Sequence, residues 1–212
     1  MSGSTVSSDS SLPVPPTPAM RKRQLRQSVQ VELRRIGLAQ VAACSRQIMD
    51  RIVSLAAYKD ARAVLLYGAS PTEVHVDELA EVCAAAGKRV GVPRVDWARG
   101  TLTPLWAADW EEDLVAGRFK IREPREGLEA AALGDFDLII TPGLAFDEHG
   151  GRLGRGAGFY DRFLSSPERR GLLCGVCFDV QIVSESIPLE PHDVLMDAVL
   201  TESRTILVSE TR

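Results

Sequence analysis

At about 150 residues per domain, a 212-residue chain is one full domain with a small appendage, and its 45% hydrophobic and 25% charged content is an ordinary globular mix. A core of that size needs no disulfide or metal to hold it. Lys and Arg total 25 against 29 for Asp and Glu, a net charge of −4, which argues against a broad nucleic-acid or anionic-membrane surface, and no apolar run approaches the roughly 20 residues that span a bilayer.

Residues 1–19 hold six Ser, four Pro and no Lys or Arg. Such a stretch cannot bury apolar surface and is expected to be a disordered tail. It lacks the apolar segment of a secretory signal and the Arg-rich character of a transit peptide, so a cytoplasmic location is expected. Composition changes at Met20, and residues 20–212 are expected to form one domain. From Arg21 to Ile36 the pattern is basic and helical, with Gly37 as its stop. A second helix is expected over Gln40–Leu55, with Val41, Cys44, Ile48, Ile52 and Leu55 on one stripe. Ala63–Tyr67 reads as a buried strand ending at Gly68. Val76–Ala86 is a small-residue helix closed by Gly87, and Arg89–Val92 is the next strand, stopped by Pro93. Thr101–Trp106 and Phe136–Thr141 are further strands, the latter ending at Pro142-Gly143. Gly158–Ser165 reads as a helix, followed by strands at Leu172–Phe178 and Thr205–Val208. Strands alternating with helices imply an α/β fold with a mainly parallel sheet.

The four cysteines, Cys44, Cys83, Cys174 and Cys177, suit a reducing compartment. Cys174 and Cys177 form a C-x-x-C, but on a strand positions three apart face opposite sides, and no second pair completes a zinc site. All four are expected to be small core residues.

The most unusual stretch is Thr141–Leu164, which holds six glycines between an apolar strand and a helical pattern. Loops in this position lie outside the carboxyl ends of strands, where open α/β sheets bind ligands. Glycine lets backbone approach a ligand closely, and successive N–H groups can cradle phosphate oxygens. Arg152 and Arg155 flank the loop as forked donors for phosphate, and Asp161 is placed to return a carboxylate toward magnesium. The spacing is neither G-x-G-x-x-G nor a P-loop. A glycine-rich surface turn with solvated arginines is the alternative.

Pro142-Gly-Leu-Ala-Phe-Asp147, followed by Gly-x-Arg-Leu-Gly-Arg-Gly-x-Gly-Phe-Tyr-Asp-Arg-Phe-Leu164, resembles the signature of the 5-formyltetrahydrofolate cyclo-ligase (methenyltetrahydrofolate synthetase) family. The likeness extends along about 21–202, through Lys22-Arg-Gln-Leu-Arg26, Glu73-Val, Val92-Pro-Arg94, Ile121-Arg-Glu-Pro124 and Pro191-His-Asp193. It implies a single three-layer αβα domain with a mainly parallel central sheet, acting on 5-formyltetrahydrofolate with ATP as co-substrate and Mg2+. It also implies no nucleic-acid or membrane partner, and a monomer is expected. By this resemblance Lys22, Arg26, Arg152, Leu153, Gly154, Arg155, Gly156, Ala157, Gly158, Phe159 and Tyr160 bind ATP. Tyr67, Glu73 and Phe119 contact the folate together with Arg155, Gly156 and Gly158. Arg155 and Tyr160 are the expected catalytic residues, and Asp161 and Asp193 the metal carboxylates.

Each assignment has a plainer reading. Lys22 and Arg26 share one face of a helix that could simply be solvated and basic. Asp193 could be a turn residue, Glu73 a helix-start carboxylate, and Tyr67 and Phe119 core residues. Ala157 and Phe159 depart from relatives that carry Lys and Tyr there. His149 is expected to face solvent, and His75 and His192 lack metal-ligand spacing. The rival functions are a same-fold paralogue using another phosphorylated substrate and a formyl-folate or nucleotide sensor without turnover. Glu73 and Ile121–Pro124 argue against the first, and the presence of Arg152 and Asp161 against the second.

Overall fold

A computed structural model describes residues 15–208, so most of the expected tail, residues 1–14, lies outside the described residues. In chain order come α1 (Pro18–Leu33), α2 (Leu38–Ser54), α3 (Ala56–Asp60), β1 (Ala63–Leu65), α4 (Asp77–Ala85), β2 (Arg89–Asp96) and β3 (Thr101–Ala107). A short helix and a hairpin follow: α5 (Trp110–Asp113), β4 (Leu114–Ala116) and β5 (Arg122–Pro124). The second half holds β6 (Leu138–Pro142), β7 (Ala145–Asp147), β8 (Arg152–Leu153), α6 (Phe159–Leu164) and β9 (Leu172–Val176). It closes with β10 (Ile182–Val183), β11 (Ala198–Leu200) and β12 (Thr205–Leu207).

Seven strands form the central sheet in the order β12-β11-β9-β6-β1-β2-β3. The five inner strands are parallel, and β12 and β3 run antiparallel along the two edges. The chain enters at β1, builds outward through β2 and β3, then returns to β6 and builds the other way. Its winding therefore reverses between β1 and β6, where the loops at the carboxyl ends part and leave a crevice.

Strand residues alternate between two cores. Val64, Leu138, Ile140 and Cys174 face α2 and α4 through Ile48, Ile52, Leu79 and Cys83. Leu65, Ile139, Leu173 and Val199 face the other way onto Phe136, Phe146 and Leu164. Each such fully buried aliphatic chain contributes roughly 1.5–3 kcal/mol of transfer free energy. The expected three layers are present, but the second helical layer is thin, with α6 supplemented by a single 3₁₀ turn at Leu133–Asp135. Cys174 and Cys177 fall in opposite cores, as the strand period required, and all four cysteines are buried and free.

Several boundaries differ from expectation: α2 ends at Ser54 with Leu55 as its C-cap, β1 ends at Leu65 and β9 at Val176. The first helix starts at Pro18, so Pro18 and Ala19 leave the tail; Thr17 Oγ1 accepts the Met20 amide at 3.3 Å, and proline suits a first helical turn. Gly37 is the extended residue before α2 rather than a stop for α1. Pro93 does not end its strand. It lies directly opposite Pro104 in the β2–β3 register, two residues without N–H groups facing each other, and β1 pairs β2 only as far as Gly91.

Gly68 is required by packing. A Cβ there would overlap the Arg122 carbonyl oxygen, because β5 crosses the end of β1 at backbone distance. Gly68→Ala is expected to cost about 2 kcal/mol through overpacking. Urea unfolding measures it, and an unchanged midpoint would mean that residues 121–124 yield freely.

Candidate active site

At the crevice between β1 and β6, β1 runs on through buried Leu66 and Tyr67. The Tyr67 hydroxyl donates to the Val74 carbonyl at 2.7 Å, which staples the following turn. Within that turn the Ser70 amide donates to Glu73 Oε2 at 2.9 Å. Glu73 is thus a turn residue four positions before α4, not a helix-start carboxylate.

An apolar cleft of about 400 Å³ opens here, walled by Pro93, Val95, Leu102 and Ile121. Its rim is a row of three rings. Trp97, just past β2, meets Phe119 edge-to-face at 5.6 Å and Phe159 at 5.4 Å. Phe119 sits at the β4–β5 tip, 73% exposed, and both it and Lys120 adopt positive φ, of 58° and 62°. Two consecutive left-handed residues other than glycine are costly, and such outliers concentrate at ligand clamps.

Beside the cleft lies a polar recess of about 130 Å³, bordered by Lys22, Arg26, Glu190, His192 and Asp193. The two cavities share a wall made of Arg152, Gly154, Gly158 and Asp161. Gly156 and Gly158 have φ of +107° and +68°, so the loop's path depends on glycine at those two positions. Arg162 pins the loop from outside, donating through Nη2 to Gly100 O at 2.6 Å and to Ala157 O at 3.2 Å.

Arg152 is the centre of the shared wall, its side chain only 3% exposed. Nη2 donates to Asp161 Oδ1, Nη1 donates to Pro142 O at 3.2 Å, and Nε is buried without a hydrogen-bond partner. Asp161→Asn removes the counter-charge of a buried guanidinium. It is expected to destabilise the protein by about 2–3 kcal/mol, a melting point lower by roughly 5–10 °C. Calorimetry measures this, and an unshifted Tm would mean that the pair is solvent-compensated.

The expected residues divide between the two cavities. Lys22, Arg26, Gly154, Gly156 and Gly158 border the recess, whereas Leu153 contributes backbone there and buries its side chain in the core. Ala157, Phe159 and Tyr160 line the apolar cleft. Arg155 also turns to the cleft instead of joining Lys22, Arg26 and Arg152. Its Nη2 donates to Glu73 Oε1 at 3.0 Å and lies 3.4 Å from Ser70 Oγ, because that carboxylate offers it a counter-charge. Tyr67 is fully buried, as its core reading expects, and it also borders the cleft. Burial, reinforced by the charge of Glu73 and only partly opposed by Arg152, holds the Tyr160 phenol pKa well above its ordinary value. Tyr160 is therefore a donor at neutral pH, not a base.

Lys22 Nζ donates to Asp193 Oδ2 at 2.6 Å and to Glu190 Oε2 at 2.7 Å. Burial alone would push the Asp193 carboxyl up, but the Lys22 hydrogen bond, the Glu190 amide and the Lys22 charge outweigh it, and its pKa is lowered. For Lys22 burial pulls down, the two carboxylates outweigh it, and the pKa is raised. The pair therefore stays ionised across neutrality. Ligand atoms of Glu190, His192 and Asp193 lie within 4.8 Å of one another, although His192 lacked any sequence spacing for a metal. Asp161 is not in that group. His149 is exposed, as expected.

Sequence reasoning missed Trp97, Ser70, Glu190 and Arg162. Only Trp97 carried a usable signal, an aromatic just beyond the carboxyl end of a strand in an open sheet.

Among the described residues no helix is long and apolar enough to cross a membrane. The family model for the 5-formyltetrahydrofolate cyclo-ligase family matches residues 18–202. A 5-formyltetrahydrofolate cyclo-ligase of Mycolicibacterium smegmatis is 40% identical over 69% of this chain and 76% of that protein. The Escherichia coli K12 enzyme of the same name is 34% identical over 75% of this chain and 88% of its own. Among solved structures, 5,10-methenyltetrahydrofolate synthetase of Aquifex aeolicus superposes with a TM-score of 0.77 at 29% identity, covering 91% of this chain and 95% of that one.

Proposed function

The chain belongs to the 5-formyltetrahydrofolate cyclo-ligase family, and from that membership we propose that it converts 5-formyltetrahydrofolate and ATP to 5,10-methenyltetrahydrofolate, ADP and phosphate. The observation that carries the reading is the shared wall: an apolar cleft for a flat heterocycle and a charged recess for a phosphate chain meet at Arg152, Gly154, Gly158 and Asp161. A reaction that transfers a phosphoryl group onto the folate needs such a junction. The proposed catalytic domain is residues 20–212, extended to its helix cap at Thr17.

A formyl amide is a poor electrophile and its oxygen a poor leaving group. The formyl oxygen attacks the γ-phosphorus and ADP departs. N10 then attacks the formyl carbon, and the oxygen leaves as phosphate, which is basic enough to carry off the N10 proton. Phosphoryl transfer of this kind is mostly positioning and charge stabilisation, so forked cations matter more than a nucleophile. In this reading Arg152 spans both substrates, its Nε and Nη groups donating to oxygens that gain charge. Lys22, Arg26 and the loop amides of Gly154, Gly156 and Gly158 hold the phosphate chain. Glu73 accepts from the amino-pyrimidinone donors, and Arg155, displaced from it, turns to the formyl-folate. Tyr160 donates from the cleft wall, and the three rings exclude water.

Glu190 and Asp193 offer two hard carboxylate oxygens that suit Mg2+, with the His192 imidazole beside them and Asp161 on the same recess. Bound there, Mg2+ would neutralise charge on the β- and γ-phosphoryl oxygens. The test is the absorbance of the methenyl product with 5-formyltetrahydrofolate, ATP and Mg2+. Product formation that depends on all three is expected, and none across pH and metal would overturn the reading.

A further inference from the structure

The place between Glu190 and Asp193 in the recess is taken by an ammonium. Lys22 Nζ reaches Glu190 Oε2 at 2.7 Å and Asp193 Oδ2 at 2.6 Å, with the Lys22 and Asp193 side chains each 8% exposed. The same two carboxylates, with the His192 imidazole beside them, are the groups whose ligand atoms lie within 4.8 Å of one another and could hold a divalent cation. An ammonium and a divalent cation a few ångströms apart repel strongly at partly buried sites, so the carboxylates cannot serve both. Arg152 Nε, on the wall of the same recess, is buried without a hydrogen-bond partner, a donor that an anionic oxygen would satisfy.

We propose that Lys22 holds the cation position in the ligand-free protein and that a divalent metal displaces it, turning the ammonium toward the nucleotide phosphates. The exchange rests on the reading of Glu190 and Asp193 as metal carboxylates. Its consequence is coupling. Metal alone must break a charged, double hydrogen bond, whereas phosphate accepts the released Lys22 and offsets that cost. Metal and nucleotide therefore raise each other's affinity by the same factor, and Lys22 is the positioning residue that makes them enter together.

The test is Mn2+ binding to the full chain without nucleotide, read from the electron paramagnetic resonance signal of free Mn2+. Lys22→Met keeps the aliphatic stem and removes the charge; it is expected to bind Mn2+ about tenfold tighter than wild type. Lys22→Arg keeps the charge and is expected to bind as weakly as wild type. Asp193→Asn is expected to abolish binding in wild-type and Lys22→Met backgrounds alike. Equal or weaker binding by a folded Lys22→Met protein overturns the exchange while leaving the metal reading intact. Binding unaffected by Asp193→Asn, or none by any variant, overturns the metal reading and the exchange with it.

A second measurement needs no variant that could misfold. Lysine occurs only at Lys22, Lys59, Lys88 and Lys120, so wild-type protein labelled with 15N at lysine Nζ gives few ammonium signals. Saturating Mg2+ is expected to shift the Lys22 signal selectively. An unmoved Lys22 signal at saturation overturns the exchange.

Discussion

Replacing Arg152 with lysine is expected to lower kcat by about a hundredfold or more while leaving the fold in place. The guanidinium serves three directions at once: Asp161 through Nη2, the Pro142 carbonyl through Nη1, and the junction of the two cavities through an Nε with no partner among the described residues. A lysine ammonium is a point charge. It can keep Asp161 neutralised, which preserves stability, but it cannot also present a rigid donor to an oxygen shared between phosphate and formyl group. Methenyl absorbance under saturating substrates measures kcat, and circular dichroism checks the fold. Turnover within threefold of wild type would remove Arg152 from the reacting centre. Arg152→Met is expected to do worse on both counts, since it also leaves Asp161 without its partner.

Glu73→Gln is expected to raise KM for 5-formyltetrahydrofolate by about 10- to 100-fold, the range of one or two charge-assisted hydrogen bonds, while KM for ATP changes little. Glu73 Oε1 accepts from Arg155 and Oε2 from the Ser70 amide. The amide variant keeps a carbonyl for Ser70 but loses both the charge for Arg155 and the second acceptor for ring N–H donors. Two substrates binding in separate cavities should respond separately. Initial-rate measurements varying each substrate decide this, and equal rises in both KM values would make Glu73 a structural residue of the turn.

Elements with strong periodicity were accessible from the order of residues alone. Of the expected stripe, Val41, Cys44, Ile48 and Ile52 are buried in α2, while Leu55 falls just past its end and is only partly buried. The two-residue strands β8 and β10 were not accessible, because they exist only by pairing with β7. Pro93 misled for a related reason: whether a proline ends a strand depends on whether the partner's carbonyl needs its N–H, and the Pro104 carbonyl already accepts from the Ala131 amide at 2.9 Å. In the site, the glycine loop stood out locally since its chemistry is backbone chemistry. The row of rings did not, because Trp97 meets Phe119 and Phe159 only once the chain is folded.

The net charge of −4 said nothing about the recess, where cations from α1 and the glycine loop face carboxylates from residues 190–193. By itself the sequence determined the fold class, the core faces of the main elements and the family, because these follow from hydrophobic period and a contiguous motif. Only the tertiary structure decided how the arginines divide. Arg152 is buried against Asp161 and faces both cavities, while Arg155, three residues on, turns away from the recess to Glu73. The same is true of Lys22, which the structure seats between two carboxylates 168 and 171 residues away. Ion pairs form between charges that folding brings together and desolvates, and a charge's position in the chain does not say which opposite charge it will meet.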